Sequence, residues 1–97
     1  MNKPSEAYIQ KKILDYLDSK GFYTVKVISC NKRGVPDILA CSPTGQFFAV
    51  EVKAQGKLST VSPLQKHNLE QVSARDGVAL ATDNLDEVKN LVAKVLA

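Results

Sequence analysis

The stretch from Gly34 to Lys53 has the sequence GVPDILACSPTGQFFAVEVK and predicts two consecutive strands joined by a tight turn. We expect the first strand near residues 36–42 and the second near 46–53, since apolar residues predominate in both. Between them, Pro43-Thr44-Gly45 has the composition of a hairpin turn. The centre of the chain therefore predicts an antiparallel hairpin, and the other elements are placed around it.

Charged residues stand at the two ends of this hairpin that are expected to meet. Asp37 opens the first strand, and Glu51 and Lys53 close the second. Side chains alternate along a strand, so Glu51 and Lys53 share one face about 7 Å apart, while Val50 and Val52 face the core. A hairpin of this length can bring Asp37 alongside Glu51. The sequence thus predicts two carboxylates and an ammonium at one edge of a sheet.

Such a cluster suits a divalent cation. Two neighbouring carboxylates repel each other, which raises a pKa unless a cation lies between them. Asp37, Glu51 and the main-chain carbonyl of Val52 are the predicted ligands of Mg²⁺, which keeps several waters for a phosphate substrate. Lys53 would orient or deprotonate the nucleophile, or stabilise charge on phosphorus. The alternative is that Glu51 and Lys53 form only an exposed ion pair, which contributes little.

Upstream of the hairpin, the sequence predicts one helix and one strand. Ser5 is a suitable N-cap for a helix that continues to about Lys20, because apolar residues recur on one face, and Gly21 suits the left-handed position after its last turn. Residues 22–28 are β-branched and aromatic and predict a strand. A polar loop follows before the hairpin.

Downstream, a second helix is predicted to begin at Ser62, with Gln65 completing a capping box, and to end near Asp76. The apolar run 78–81 predicts a short buried strand, and Asp83 is the expected N-cap of a last helix. The resulting order is α-β-β-β-α-β-α, an α/β fold with a mixed sheet. The fourth strand is expected parallel to the third, through a right-handed crossover.

The composition fits one small domain spanning residues 1–97. Hydrophobic residues make up 44% and charged residues 24%, which excludes a disordered or fibrous chain. The sequence contains neither an apolar run of about 20 residues nor a recognisable signal peptide, so no membrane partner is expected. Cys30 and Cys41 fit neither a zinc site nor a disulfide framework. We therefore expect a cytoplasmic protein. Its expected setting is a bacterial or phage-infected cell.

The net charge of +3 is unevenly distributed. Residues 1–66 carry ten basic and five acidic side chains, whereas residues 67–97 carry three basic and five acidic ones. This asymmetry favours a polyanionic partner for the N-terminal two-thirds, although surface lysines alone would also account for it.

The ordered set of motifs resembles the virus-type replication-repair nuclease (VRR-NUC) domain of the PD-(D/E)xK nuclease superfamily. The motifs are Gly34-Val-Pro-Asp37, the segment 47–53 that ends in Glu51-Val-Lys53, and Ser62-Pro-Leu-Gln65. The resemblance implies a restriction-endonuclease-like α-β-β-β-α-β core with an extra C-terminal helix. It also implies hydrolysis of phosphodiester bonds in branched DNA, dependent on Mg²⁺ or Mn²⁺.

The resemblance assigns roles to individual residues. Asp37 and Glu51 become metal ligands, and Lys53 becomes the catalytic lysine. Glu6 matches an acid held near the metal, and Gln65 matches a glutamine that faces the catalytic cleft. The competing interpretations are that Glu6 is an ordinary first-turn acid favoured by the helix dipole and that Gln65 only completes its capping box.

The expected substrates are branched DNAs, namely four-way junctions and flaps. Lys32 and Arg33 lie just before Gly34 and are the predicted contacts to the DNA backbone. One active site cuts one strand, so symmetrical cleavage of a Holliday junction predicts a homodimer. The alternatives are a monomeric flap or nicking nuclease of the same superfamily and a non-catalytic DNA-binding subunit.

Overall fold

A computed structural model describes residues 3–97, and it has the predicted order of helices and strands. The first two residues of the predicted domain lie outside this range. The elements are α1 (Glu6–Ser19), β1 (Tyr23–Lys26), β2 (Ile38–Cys41), β3 (Phe47–Val52), a short 3-10 helix (Leu58–Thr60), α2 (Pro63–Ala74), β4 (Val78–Thr82) and α3 (Leu85–Val95). The predicted α/β class is confirmed.

The four strands form one mixed sheet in the order β1-β2-β3-β4. The pairs β1–β2 and β2–β3 are antiparallel, and β3–β4 is parallel, as the sequence predicted. Ile38 pairs with Val50 in the central hairpin. Continuing this register by one residue sets Asp37 opposite Glu51, which is the juxtaposition that the hairpin length predicted.

The hydrophobic core lies on one face of the sheet, which we call the packed face. The helices α1 and α3 cover it, and α3 contributes Val88 and Val92. Phe22 and Phe48 meet edge-to-face, with their ring centroids 5.0 Å apart. Val50 and Val52 point into this core as predicted and are 2% and 0% exposed.

The opposite face, which we call the site face, is only partly covered. The helix α2 lies against β3 and β4, and none of its residues is fully buried. Tyr23 and Val25 on β1 share this face by alternation and are 73% and 42% exposed. A groove therefore remains beside α2, above the free part of the sheet.

Strand β1 is shorter than the predicted 22–28. Phe22 is buried against Phe48 in the core before the ladder begins, and Ile28 lies beyond the ladder with 87% of its surface exposed. The β-branched and aromatic composition therefore located this strand correctly but overestimated its length. Tertiary packing places Phe22 in the core instead of the ladder, and Ile28 lies beyond the last paired residue.

Two of the three predicted helix starts are confirmed. The Ser5 hydroxyl accepts a hydrogen bond from the Tyr8 N–H at 3.1 Å. The Ser62 hydroxyl accepts from the Gln65 N–H at 3.1 Å, while the Gln65 Oε1 accepts from the Ser62 N–H at 2.9 Å, so the capping box is complete.

The third prediction, Asp83 as the cap of α3, is wrong. Asn84 is the N-cap, and its side chain accepts from the Glu87 N–H at 3.0 Å. Asp83 instead accepts a hydrogen bond from the Gly56 N–H at 2.9 Å, and this bond lowers the pKa of the Asp83 carboxyl. Asp83, one position before the true N-cap, therefore makes a long-range contact that the local sequence pattern does not reveal.

Among residues 3–97, no helix has the length and apolar character needed to cross a membrane.

Candidate active site

The candidate site lies where β3 ends on the site face. The Asp37 Oδ2 accepts a hydrogen bond from the Val52 N–H at 2.8 Å, across the hairpin. This bond fixes the Asp37 carboxylate at the end of β3, next to Glu51. The main chain of β3 thus holds the side chain of Asp37, the residue just before β2.

Glu51 is a buried acid with two polar neighbours on the same carboxylate oxygen. The Lys53 Nζ lies 3.8 Å from Glu51 Oε2, and the two side chains are 14% and 3% exposed. Gln65 Nε2 donates to the same oxygen at 3.3 Å. The pair is therefore not the exposed ion pair that was the alternative interpretation, and Gln65 serves both the capping box and the site.

Burial and nearby negative charge raise the pKa of Glu51 to about 8. Desolvation is the largest cause, followed by the adjacent Asp37 carboxylate, which can accept a hydrogen bond only from a protonated Glu51 and whose negative charge also disfavours ionisation. The Lys53 ammonium acts in the opposite direction, and the charge of Glu6 raises the pKa by the smallest of these effects. At neutral pH Glu51 therefore keeps a proton unless another positive charge, such as a bound cation, replaces it.

One buried atom has no hydrogen-bond partner among the described residues, and it is Glu51 Oε1. Its neighbour Asp37 is also an acceptor when ionised, so the two carboxylates cannot satisfy each other without a proton or a cation. A divalent cation fits this site, because carboxylate oxygens are the ligands that Mg²⁺ prefers. Within residues 3–97, no group of three or more His, Cys, Asp or Glu side chains has metal-binding geometry. Further ligands would therefore be main-chain oxygen, such as the predicted Val52 carbonyl, or water.

Glu6 occupies the first turn of α1 and remains exposed. The Gln55 N–H donates to the Pro4 carbonyl at 3.3 Å, which ties the start of α1 to the segment after β3. This tie brings the Glu6 charge within electrostatic range of Glu51 without a direct hydrogen bond. Glu6 is therefore placed beside the site, and its role as a metal-proximal acid stays a prediction.

The loop that carries Lys32 and Arg33 is docked on α2. Asn68 Nδ2 donates to the Arg33 carbonyl at 3.0 Å and to the Leu64 carbonyl at 3.1 Å. Gly34 follows with a φ of +72°, and a Cβ there would lie 2.8 Å from the Leu64 Cγ. The glycine before Val-Pro-Asp37 is therefore required by a left-handed backbone and by close contact with α2.

We expect Gly34→Ala to lower the free energy of unfolding by about 2 kcal/mol or more and to displace the Lys32–Arg33 loop. Gly45→Ala is the matched control, because Gly45 also has a positive φ, +86°, but a Cβ there meets nothing within 4 Å. It should cost only the backbone strain, about 1 kcal/mol. Denaturant unfolding measures both, and equal losses would contradict the contact with α2.

No protein-family model matches the chain. The chain is 36% identical over 62 residues to a phage protein named "Putative nuclease p44", from Acyrthosiphon pisum secondary endosymbiont phage 1. That alignment covers 64% of this chain and 67% of the phage protein.

Two solved structures share the fold, and both are described as VRR-NUC domains. The first has a TM-score of 0.77 at 23% sequence identity, and the alignment covers 93% of this chain and 96% of the matched chain. The second has a TM-score of 0.75 at 17% sequence identity, and the alignment covers 95% of this chain and 88% of the matched chain. The chain belongs to the VRR-NUC nuclease family. The resemblance first seen in the hairpin and capping-box motifs is thereby confirmed.

Two residues of this VRR-NUC domain were missed by sequence reasoning. Asn68, which holds the loop, and Phe47, which lines the groove beside α2, carry no local signature because their contacts are formed between distant segments.

Proposed function

We propose that this VRR-NUC nuclease is a Mg²⁺- or Mn²⁺-dependent endonuclease that hydrolyses phosphodiester bonds in branched DNA. The observation that carries the proposal is the buried Glu51 Oε1, which lies beside the Asp37 carboxylate and has no hydrogen-bond partner within residues 3–97. A binding surface for a polyanion gains nothing from a buried carboxylate beside a half-buried one, because both repel phosphate. A metal-dependent phosphodiesterase requires them.

Each residue of the site has a distinct task in this proposal. Asp37 and Glu51 hold the cation, with the Val52 carbonyl as a third protein oxygen, and Glu6 adds negative charge nearby. A bound cation supplies charge neutralisation at the phosphate and a lower pKa for water. Gln65 fixes the orientation of the Glu51 carboxylate through its 3.3 Å hydrogen bond.

Lys53 is the proposed catalytic lysine. Its ammonium lies 3.8 Å from Glu51 Oε2 and its side chain is 14% exposed, so it is anchored at the site yet accessible to a substrate. From there it can hold the attacking water or donate a hydrogen bond to a phosphate oxygen as negative charge develops. Its position on the same face as Glu51 supports this role.

Recognition in this proposal depends on DNA shape and phosphate contacts. Lys32 and Arg33 are exposed on a loop that Asn68 and Gly34 fix against α2, so their charges are presented from a defined position. Contacts to phosphates orient DNA without selecting a base sequence. Branched substrates offer such phosphates from more than one duplex arm.

The proposal further assigns a homodimer that resolves Holliday junctions. One such site cuts one strand, and a two-fold dimer supplies two. Exposed apolar side chains on and after the free edge strand β1 support self-association, since Tyr23 is 73% and Ile28 87% exposed.

The test incubates the full chain with labelled four-way junctions, flaps, nicked duplex and intact duplex, with Mg²⁺, with Mn²⁺ and with EDTA. We expect metal-dependent cutting of the branched substrates and none with EDTA. Light scattering should give twice the chain mass of 10.6 kDa. Cutting by a monomer would replace the resolvase with a flap or nicking enzyme. Binding without cutting under every condition would make the chain a non-catalytic DNA-binding subunit.

Gln65 can be separated into its two roles by comparing two variants. Ser62→Ala removes the cap and should lower the free energy of unfolding by about 1 kcal/mol, with little effect on cleavage at saturating metal. Gln65→Ala should cost similar stability and also lower cleavage by about tenfold, because Glu51 loses its donor. Equal cleavage rates of the two variants at a temperature where both are folded would restrict Gln65 to capping.

A further inference from the structure

A groove of about 570 Å³ lies on the site face beside α2. Its floor includes Phe47 of β3, which is 45% exposed. One wall is α2 with its C-cap residue Arg75, so that His67, Gln71 and Arg75 lie at successive i+4 positions, and Lys32 closes the other side. The catalytic hypothesis uses neither the aromatic floor nor the far end of this groove.

We propose that this groove binds an unpaired DNA strand of the substrate, with a base stacked on Phe47 and phosphates bound by Lys32 and Arg75. The proposal deepens the nuclease function proposed above and rests on it, because it names the part of a branched substrate that the groove receives. The chemistry is that of a single-strand site, in which an aromatic face takes bases and basic residues follow the backbone.

The charge of the groove favours a polyanion. Lys32 and Arg75 line it, His67 adds a titratable group, and no Asp or Glu is found among the lining residues that the structure describes. Arg75 Nη1 donates to the Gln71 carbonyl at 3.0 Å and to Gln71 Oε1 at 2.9 Å. In the described part of the chain these bonds come from Nη1 alone, which leaves Nε and Nη2 for a phosphate.

The position of the groove connects it to the candidate active site. Phe47 lies four residues before Glu51 on the same face of β3, a separation of about 13 Å. The helix α2 runs alongside, from Gln65 at Glu51 to Arg75 at the far end, near Gly77. A base-stacked strand rises about 3.4 Å per nucleotide, so at most roughly four nucleotides span this distance, and fewer if the unpaired strand is extended. A strand leaving the site can therefore reach Phe47.

An unpaired strand fits better than a duplex. In a duplex the base faces are stacked on one another, so Phe47 would have no partner and only the phosphates would be bound. The half-exposed phenyl ring of Phe47 gains a stacking partner only from a strand whose bases are unpaired. A flap or a frayed junction arm supplies such bases.

The first measurement is the affinity of the full chain for a fluorescent 12-nucleotide single strand, by anisotropy in EDTA so that nothing is cut. Phe47→Leu should weaken binding by about tenfold, while Phe47→Tyr should stay within about twofold of the parent. Arg75→Gln should weaken binding several-fold and reduce the dependence of affinity on salt concentration. Lys94→Gln, the same loss of charge on α3 behind the packed face, should leave the affinity within about twofold.

Equal affinities of Phe47→Leu and the parent for the single strand would overturn the proposal, as would equal losses for single strand and duplex. A change in molecular mass of the groove variants with unchanged DNA affinity would instead assign the groove to contact with a second copy of the chain. The binding measurement needs no cleavage, so it is independent of the nuclease proposal. If cleavage is present, Phe47→Leu should raise the KM for a flap about tenfold with kcat retained.

Discussion

Replacing Asp37 by asparagine should reduce cleavage of branched DNA by about a thousandfold or more and leave the fold intact. Asparagine has the shape of aspartate, and its Oδ1 can still accept the hydrogen bond from the Val52 N–H. The change therefore removes one negative charge from the proposed cation site while keeping the contact that holds the hairpin. Loss of a charged metal ligand removes several kcal/mol of transition-state stabilisation.

The measurement is a single-turnover rate with excess protein, at several Mg²⁺ concentrations. Asp86→Asn is the matched control, because it makes the same chemical change in the exposed first turn of α3, and it should retain the parent rate. Lys53→Met should lose about a hundredfold or more, without a change in the metal requirement. A parental rate for Asp37→Asn, at any metal concentration, would contradict its assignment as a ligand.

The part of the site that was predictable from sequence is the part set by local geometry. Strand alternation placed Glu51 and Lys53 on one face, and the hairpin length set Asp37 opposite Glu51. The structure shows both. The capping box at Ser62 and Gln65 was likewise predictable, because it is fixed by a three-residue spacing.

The missed features depend on contacts between distant segments. The local sequence predicts Asp83 as the cap of α3, but the hydrogen-bond partner of Asp83 is Gly56, 27 residues away. The groove could not be predicted, since Lys32, Phe47 and Arg75 come from three separate segments. The burial of Glu51 was also not evident, because α2 covers it only after the crossover is folded. The local charge pattern was therefore ambiguous between an exposed pair and an active site.

The same burial leads to a second large effect, on stability. Without metal, the protein should lose stability as pH rises from about 5 to 8, and Glu51→Gln should remove this loss. The pKa of Glu51 is raised from 4.5 to about 8 in the folded chain. Between these values the native state holds a proton that the unfolded chain has released. The free energy of unfolding therefore falls with rising pH across this window.

The expected size is on the order of a few kcal/mol at pH 8, since each unit of pKa difference corresponds to about 1.4 kcal/mol. In a chain of 97 residues, an effect of this size should make Glu51→Gln melt about 10 °C or more above the parent at pH 8. Near pH 5 the two should melt within a few degrees of each other, because this pH is close to the unfolded pKa of 4.5 and little of the loss has accumulated.

Thermal unfolding in EDTA at pH 5 and pH 8 provides the measurement, and Glu70→Gln on the exposed surface of α2 is the control that should follow the parent. Mg²⁺ should stabilise the parent at pH 8, because a cation bound only by the folded state compensates the carboxylate repulsion. It should stabilise Glu51→Gln much less, since that variant has lost both the ligand and the repulsion. A parent that is as stable at pH 8 as Glu51→Gln, in the absence of metal, would show that Glu51 carries no such strain. The Asp37–Glu51 pair would then lose its electrostatic reason to bind a cation, whatever the outcome of the cleavage assay.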